Sequence, residues 1–393
     1  MKNLLLVLSA SVAWTVVADE AAVEAKLKND IMTIVDQVNP IDPATSQRKY
    51  ISFGFISDIH KCKRVPGDDA ATDPVKDYWY STGGCLTEAE PTIRLLGAVA
   101  SEAGIDAVIN GGDLSTAPII KGGFTVPEYT NEIWNVKKLF DKYIKVPFFT
   151  VSGNHDRAYT EGNANFVMST DEWAYVLTNF NSSAATANAH GVDVIYHRDL
   201  AKAKIGADAY GRYEGNTFDL DFRRLYATKG YNVRICCLDQ FDTCTGSAAK
   251  YRTSDSANFH DRESGVPFDS EKTNENTIMG LVDHGHGNAP YSDANNLMHT
   301  FMNGTHKGKG FFGLVCGHAH FTEDAKLLKD AWDQLANPGN EVYASMIRVA
   351  AAYAVNRPSK PSAHELGTEA AYHFSIFIID PDNNLLHEVR VGG

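Results

Sequence analysis

Five short clusters of Asp, Asn and His stand along this 393-residue chain, most of them directly after an apolar run. Carboxylate, amide and imidazole ligands together suit zinc, manganese or iron better than calcium or a metal bound by thiolates. The residue types therefore predict a metal site. The clusters are Asp58-Ile59-His60, Gly111-Gly112-Asp113, Gly153-Asn154-His155-Asp156, Asp283-His284-Gly285-His286 and Gly317-His318-Ala319-His320.

The apolar runs that precede these clusters predict strands that end where the polar residues begin. Helical periodicity separates the first three strands, so residues 51–151 have the β-α-β-α-β pattern of a parallel sheet with right-handed crossovers. Asp58, His60, Asp113 and Asn154 are then expected at one edge of one sheet. An extended backbone at Asp58 and His60, two residues apart, would point both side chains to the same face. The predicted strands cover residues 51–56, 105–110, 146–151, 278–282 and 311–316, and the predicted helices cover 87–103 and 131–143.

The rest of the chain has weaker patterns. Residues 170–180 predict a helix, residues 210–225 and 231–238 predict an antiparallel pair of strands, and a further helix is expected around 328–335. Residues 372–379 and 385–391 predict a closing hairpin. Two long polar stretches, near 61–86 and 242–275, are expected to be loop insertions.

The composition and the N-terminal sequence limit the possible functions and the location of the protein. The net charge of −13, from 49 acidic and 36 basic residues, argues against a nucleic-acid surface, which needs clustered Lys and Arg. Lys2, the apolar run over 4–17 and the small residue Ala18 are typical of a signal peptide with cleavage after Ala18. A secreted or periplasmic protein is therefore expected, with no transmembrane segment in the mature chain. A membrane anchor is the alternative reading of the same run.

An exported chain can form disulfides, and the six cysteines allow two short closures. Cys62 could pair with Cys85, and Cys237 with Cys244. Cys236, Cys237 and Cys316 lie in or at the ends of strand-like runs, so buried thiols are favoured for these three.

The order and type of the five clusters resemble those of the calcineurin-like metallophosphoesterase superfamily. The resemblance implies an α/β fold, a four-layer α/β/β/α sandwich, over residues 46–393, after a signal peptide at 1–18 and a lead-in at 19–45. It also implies two divalent or trivalent metal ions, Mn, Zn or Fe. The implied ligands are Asp58, His60 and His320 for the first metal, Asn154, His284 and His318 for the second, and Asp113 as the bridge.

The resemblance further implies a phosphoesterase in which a metal-bridging hydroxide attacks phosphorus in a small phosphorylated substrate. His155 would stand near the leaving group as a catalytic residue. Asp156 would orient His155 or serve the loop structurally. His286 competes with His284 for one ligand position, and His284, directly after the apolar run, is preferred.

Three functions stay open at this point. A phosphomonoesterase is preferred, with a phosphodiesterase acting on cyclic nucleotides, nucleotide conjugates or lipid headgroups as the alternative. The metal motifs do not decide between them, because both chemistries use the same core. A non-catalytic metal-binding protein is the third reading. The sequence predicts no oligomeric state.

Overall fold

The computed structural model describes residues 20–60, 85–115, 126–153, 156, 168, 170–196, 199, 216–238, 277–284, 310–317, 346–348, 369–383 and 385–392. The strands are β1 (Ile41–Asp42), β2 (Gln47–Arg48), β3 (Ile51–Ile56), β4 (Ala107–Asn110), β5 (Phe148–Thr150), β6 (Asp193–Tyr196), β7 (Phe218–Asp221), β8 (Asn232–Cys237), β9 (Thr277–Asp283), β10 (Gly310–Cys316), β11 (Met346–Arg348), β12 (Phe374–Asp380) and β13 (Leu385–Val391). The helices are α1 (Glu20–Val38), α2 (Cys85–Ala103), α3 (Val126–Tyr143), α4 (Thr170–Phe180), α5 (Ala184–Ala189) and α6 (Tyr226–Lys229). Short 3₁₀ turns cover Arg223–Leu225 and Glu369–Ala371.

Two sheets form the centre of the fold. The first has the order β13-β12-β3-β4-β5, in which β3, β4 and β5 are parallel and the β12–β13 hairpin adds antiparallel strands. The second has the order β11-β10-β9-β8-β7-β6, with β8 to β11 parallel and β6 and β7 antiparallel. The predicted β-α-β-α-β unit, the antiparallel β7–β8 pair and the closing hairpin are confirmed.

The sheets pack face to face through aromatic side chains. Phe53 of β3 lies against Phe312 of β10, with ring centroids 5.9 Å apart, and Phe149 of β5 lies 6.2 Å from Phe218 of β7. On the other face of the first sheet, a Cβ placed on Gly54 would lie 2.9 Å from Leu96 Cδ1, so α2 packs closely on β3. This mixed α/β arrangement of helices on a two-sheet sandwich has the architecture of the expected fold. The helix predicted around 328–335 lies outside the described residues.

Helix α1 packs onto the outer helical layer rather than standing apart from it. Val23, Leu27, Ile31 and Val35 recur every four residues and are buried, which is the apolar stripe of an amphipathic helix. The stripe contacts α2 and β13. Arg94 of α2 binds the carboxylates of two α1 glutamates, Glu20 and Glu24.

The cysteine predictions have two outcomes. Cys236, Cys237 and Cys316 are buried thiols, as predicted, and burial raises the pKa of the Cys236 and Cys237 thiols well above the usual value. The suggested Cys237–Cys244 disulfide is wrong, because Cys237 faces the apolar core as a thiol. The suggested Cys62–Cys85 pair involves Cys62, which lies outside the described residues. In the described ranges, no helix combines the length and the hydropathy that a membrane span requires.

Candidate metal centre

The loops that follow β3 and β4 are joined by main-chain hydrogen bonds beyond the ends of the two parallel strands. The amide of Gly111 donates to the carbonyl of Ile56 at 2.8 Å, and the amide of Asp58 donates to the carbonyl of Gly112 at 3.0 Å. The amide of His60 then donates to the carbonyl of Asp113 at 2.9 Å. The two loops therefore hold their side chains in a fixed relation, as the shared sheet edge predicts.

Asp58, His60 and Asp113 adopt a backbone conformation that was not predicted. Their φ angles are 55°, 50° and 54°, in the left-handed region that residues with a Cβ rarely occupy. The expected extended backbone at Asp58 and His60 is therefore wrong, although both side chains do reach the same place. Unfavourable φ values of this kind concentrate at functional sites, where surrounding contacts maintain them. Here those contacts are the loop-to-loop hydrogen bonds.

Four buried side chains meet at this point. His60 Nε2 lies 3.6 Å from Asp58 Oδ1 and 3.6 Å from Asp113 Oδ2. Asp58, Asp113 and His284 each place one possible ligand atom within 4.8 Å of the others, a spacing that a metal ion can bridge. All four residues are at most 1% exposed. Buried carboxylates need a cationic partner, so the cluster suits a metal.

His284 comes to this cluster from the second sheet. It directly follows β9, and its Nε2 lies 3.1 Å from Asp113 Oδ2 and 4.0 Å from Asp58 Oδ1. Its Nδ1 donates to the carbonyl of Gly111 at 2.6 Å. That bond fixes the ring so that Nε2 points at the two carboxylates, an orientation usual for metal-bound histidines. His286 lies outside the described residues, so the choice of His284 over His286 stays a prediction.

Two glycines explain how the main chain approaches the cluster so closely. A Cβ placed on Gly153 would lie 2.1 Å from Asp113 Oδ1, and a Cβ placed on Gly112 would lie 2.8 Å from His284 Nδ1. Gly112 also has a φ of 95°. Any side chain at either position would occupy space beside the carboxylate or the imidazole. The glycines in the Gly-Asp and Gly-Asn-His-Asp motifs are therefore required by packing at the site.

Asp156 joins two of the loops that form the site. Its Oδ2 accepts hydrogen bonds from the amides of Asp113 at 2.8 Å and Gly153 at 2.7 Å, and its Oδ1 accepts from the amide of Leu114 at 2.7 Å. One buried carboxylate thus binds the loop after β4 to the turn after β5. Two roles were predicted for Asp156, orienting His155 or supporting the loop. The hydrogen bonds described here support the second.

The electrostatics of the cluster favour bound positive charge. Burial lowers the pKa of His284, but the charges of Asp113 and Asp58 outweigh burial and raise the pKa to about 10. Burial, with a further contribution from the Asp113 charge, raises the pKa of Asp156 to about 7. Both pKa shifts reflect buried carboxylates that favour a bound proton. A metal cation would neutralise the same negative charge.

Several predicted site residues fall on positions that the structure does not describe. These are Asn154, His155, His318 and His320. Two described glycines precede them in sequence and contact the cluster, because Gly153 lies against Asp113 and Gly317 lies against Asp58. The assignments of these residues stay predictions.

Two neighbours of the cluster were not predicted. The hydroxyl of Ser57 donates to Asp58 Oδ2 at 2.6 Å, and Trp173 Nε1 of α4 donates to Ser152 Oγ at 2.5 Å, one residue before Gly153. Ser57 could have been identified as the polar residue that adjoins Asp58 at a strand end. The Trp173 contact depends on tertiary packing and has no sequence signal.

Comparison with known proteins agrees with this geometry. The family model of the calcineurin-like phosphoesterases matches residues 51–232, a range that contains Asp58, His60, Asp113 and the Gly-Asn-His-Asp sequence motif. Residues 51–232 therefore belong to the calcineurin-like phosphoesterase family. The chain is accordingly a metal-dependent phosphoesterase, a hydrolase of phosphoric esters. His284 and His318 follow the matched range, and the structure places His284 at the same cluster.

More distant similarities add little to this assignment. A dimetal phosphatase from Danio rerio is 9% identical, with 88% of this chain and 96% of that chain covered and a TM-score of 0.44. GAP50, the anchor in the inner membrane complex of Plasmodium, is 9% identical, with coverage of 87% and 89% and a TM-score of 0.38. Neither similarity is strong enough to support a functional inference. No curated protein sequence matches this chain.

Proposed function

We propose that this calcineurin-like phosphoesterase hydrolyses phosphate monoesters of small molecules at a centre of two metal ions. The observation that carries the proposal is the buried cluster of Asp58, Asp113 and His284, which joins the ends of strands from both sheets. Oxygen and imidazole ligands at this spacing fit Mn, Zn or Fe. Burying unpaired charge destabilises a protein, so two buried aspartates at one point are better explained by metal binding than by a contribution to stability.

The ligand set follows from the cluster and from the sequence motifs around it. The family resemblance assigns Asp113 as the shared ligand, and its Oδ2 lies 3.6 Å from His60 and 3.1 Å from His284, which is closer to His284 than the 4.0 Å of Asp58 Oδ1. Asp58, His60 and His320 complete the first site, and Asn154, His284 and His318 complete the second. The contacts of Gly153 with Asp113 and of Gly317 with Asp58 support the inclusion of Asn154 and His318, which follow them.

Different residues of the site have different roles in the proposed hydrolysis. Bound metals would supply a polarised water and positive charge opposite the phosphate oxygens. Asp113 would bind both metals, and the bond from His284 Nδ1 to the carbonyl of Gly111 keeps Nε2 directed at the carboxylates of Asp113 and Asp58. His155 donates a proton to the departing oxygen of the substrate. Asp156 holds Gly153, which directly precedes Asn154 and His155 in sequence, against the loop of Asp113.

A side-by-side hydrolysis screen tests the substrate class. We expect the purified chain, loaded with Mn²⁺ or Zn²⁺, to hydrolyse an aryl phosphate monoester faster than the matching diester. The same screen on chelator-treated protein should show no turnover, because the catalytic charge is lost with the metal. Faster turnover of the diester would replace the proposal with a phosphodiesterase. No turnover of either ester by protein with bound metal would indicate a binding function.

We further propose that the chain is exported and that the mature protein begins near Asp19. The signal-like run ends at Ala18, and α1 begins at Glu20, so cleavage there leaves the buried stripe of α1 intact. N-terminal sequencing of extracytoplasmic material should give Asp19 as the first residue. An intact Met1 on a membrane-bound product would contradict the proposal.

A further inference from the structure

Ser57 makes the two oxygens of Asp58 unequal. The Ser57 hydroxyl donates to Asp58 Oδ2 at 2.6 Å, and both residues are fully buried. The other oxygen, Oδ1, lies 3.6 Å from His60 Nε2 and 4.0 Å from His284 Nε2. One oxygen is thus occupied by the hydroxyl, while the other is directed at the imidazoles of the cluster.

The main chain of both sheets closes around the Ser57 side chain. A Cβ placed on Gly111, which follows β4, would lie 2.7 Å from Ser57 Oγ. A Cβ placed on Gly317, which follows β10 of the second sheet, would lie 1.8 Å from Ser57 Oγ and 2.5 Å from Asp58 Oδ2. Since neither glycine leaves space for a side chain, the hydroxyl is confined to the place from which it reaches Asp58.

We propose that Ser57 is a positioning residue that sets the rotation of the Asp58 carboxylate for the first metal. The proposal rests on the metal centre proposed above. Removing the hydroxyl would free the carboxylate to turn away from the imidazoles, so the ligand would have to be ordered again when metal binds. Hydrogen-bond partners of metal ligands commonly account for about 10- to 100-fold in metal affinity.

Strand β3 offers a matched control. Ser52 is a fully buried serine near the start of β3, whereas Ser57, equally buried, directly follows the end of that strand. Ser57→Ala and Ser52→Ala each remove one buried hydroxyl. Only the first change removes a hydrogen bond to a proposed ligand.

Titration of the metal-free proteins with Co²⁺ separates the two roles that Ser57 could have. We expect Ser57→Ala to bind the first Co²⁺ about 10- to 100-fold more weakly than wild type. Its visible Co²⁺ absorption bands should also change, because the ligand field depends on the orientation of Asp58. Ser52→Ala should match wild type in affinity and spectrum, and the melting temperatures of the two metal-free variants should be similar.

Three outcomes would overturn the inference. Wild-type affinity and spectrum in Ser57→Ala would show that the hydroxyl does not position Asp58. A lower melting temperature of the metal-free Ser57→Ala protein, with unchanged affinity, would show a purely structural role. Failure of the wild-type chain to bind any Co²⁺ would overturn the metal centre itself, and so is distinguished from failure of the Ser57 role alone. If Ser57→Ala does not fold, Ser57→Cys, which replaces the hydroxyl with a weak donor, provides the same comparison.

Discussion

Replacing Asp113 with Asn should remove metal from both sites and lower turnover by about 10³-fold or more. The Asp113 carboxylate lies 3.1 Å from His284 and 3.6 Å from His60, and so approaches His284 more closely than the Asp58 carboxylate does, at 4.0 Å. The amide keeps the size of the side chain but loses the negative charge that the two cations share. Since one charge-stabilising donor is typically worth about 10²–10³-fold, loss of the shared ligand should cost at least that much.

Asp106→Asn is the control for this change, because Asp106 lies just before the other end of β4. Its carboxylate accepts the amide of Ser52 at 2.8 Å, a bond that an amide oxygen can also accept. Elemental analysis should show two metals in the control and fewer than one in Asp113→Asn. Loss of one metal with the other fully retained would show that Asp113 serves a single site.

Adjacent residues His155 and Asp156 should respond to substitution in opposite ways. His155→Ala should lower turnover by about 10²–10⁴-fold, the usual value of a positioned general acid, while both metals stay bound. The loss should be smaller for an activated aryl phosphate, because a good leaving group needs little protonation. Release of metal from His155→Ala would instead identify His155 as a ligand or a structural support.

Asp156→Ala should mainly destabilise the fold. The change leaves the amides of Asp113, Leu114 and Gly153 without their acceptor in a buried site, which should cost on the order of 3–5 kcal/mol. Asp141→Ala, which removes a surface carboxylate paired with Lys137, should cost about 1 kcal/mol or less. Denaturant unfolding of the metal-free variants measures both values. An Asp156→Ala protein of wild-type stability that has lost turnover would assign Asp156 a catalytic role.

The sequence predicted the strand ends because periodicity and motif order are local signals. Parallel strands β3, β4 and β5 do bring Asp58 and Asp113 to one edge, as alternation of strands and helices implies. His284 was placed at the site by its position after an apolar run, and β9 indeed ends beside it. These strands are buried on both faces, so each appears in the sequence as a short apolar run.

Other features depend on contacts between distant parts of the chain, so no local sequence pattern predicts them. The left-handed backbone at Asp58 and His60 exists because their amides donate to the carbonyls of Gly112 and Asp113, some fifty residues away. An isolated Asp-x-His segment would favour the extended form that was predicted. The role of Asp156 has the same origin, since its amide partners lie on two different loops.

The disulfide prediction for Cys237 failed for a related reason. Short spacing to Cys244 suggested a closed loop, but residue 237 points into the space between the sheets with Val233 and Ile235. The alternation of side chains along β8 places Cys237 in the core, whatever the length of the loop to Cys244. The lead-in over 19–45 was expected to precede the fold proper, yet helix α1 packs against α2 and β13.

The metal content of the wild-type chain tests the central claim most directly. Purified protein, stripped with chelator, reloaded with Mn²⁺ or Zn²⁺ and freed of unbound ions, should contain two metal ions per chain by elemental analysis. The expected value follows from one shared carboxylate, Asp113, between imidazoles assigned to two sites. A content of one metal or none per chain after full loading would contradict the two-metal centre.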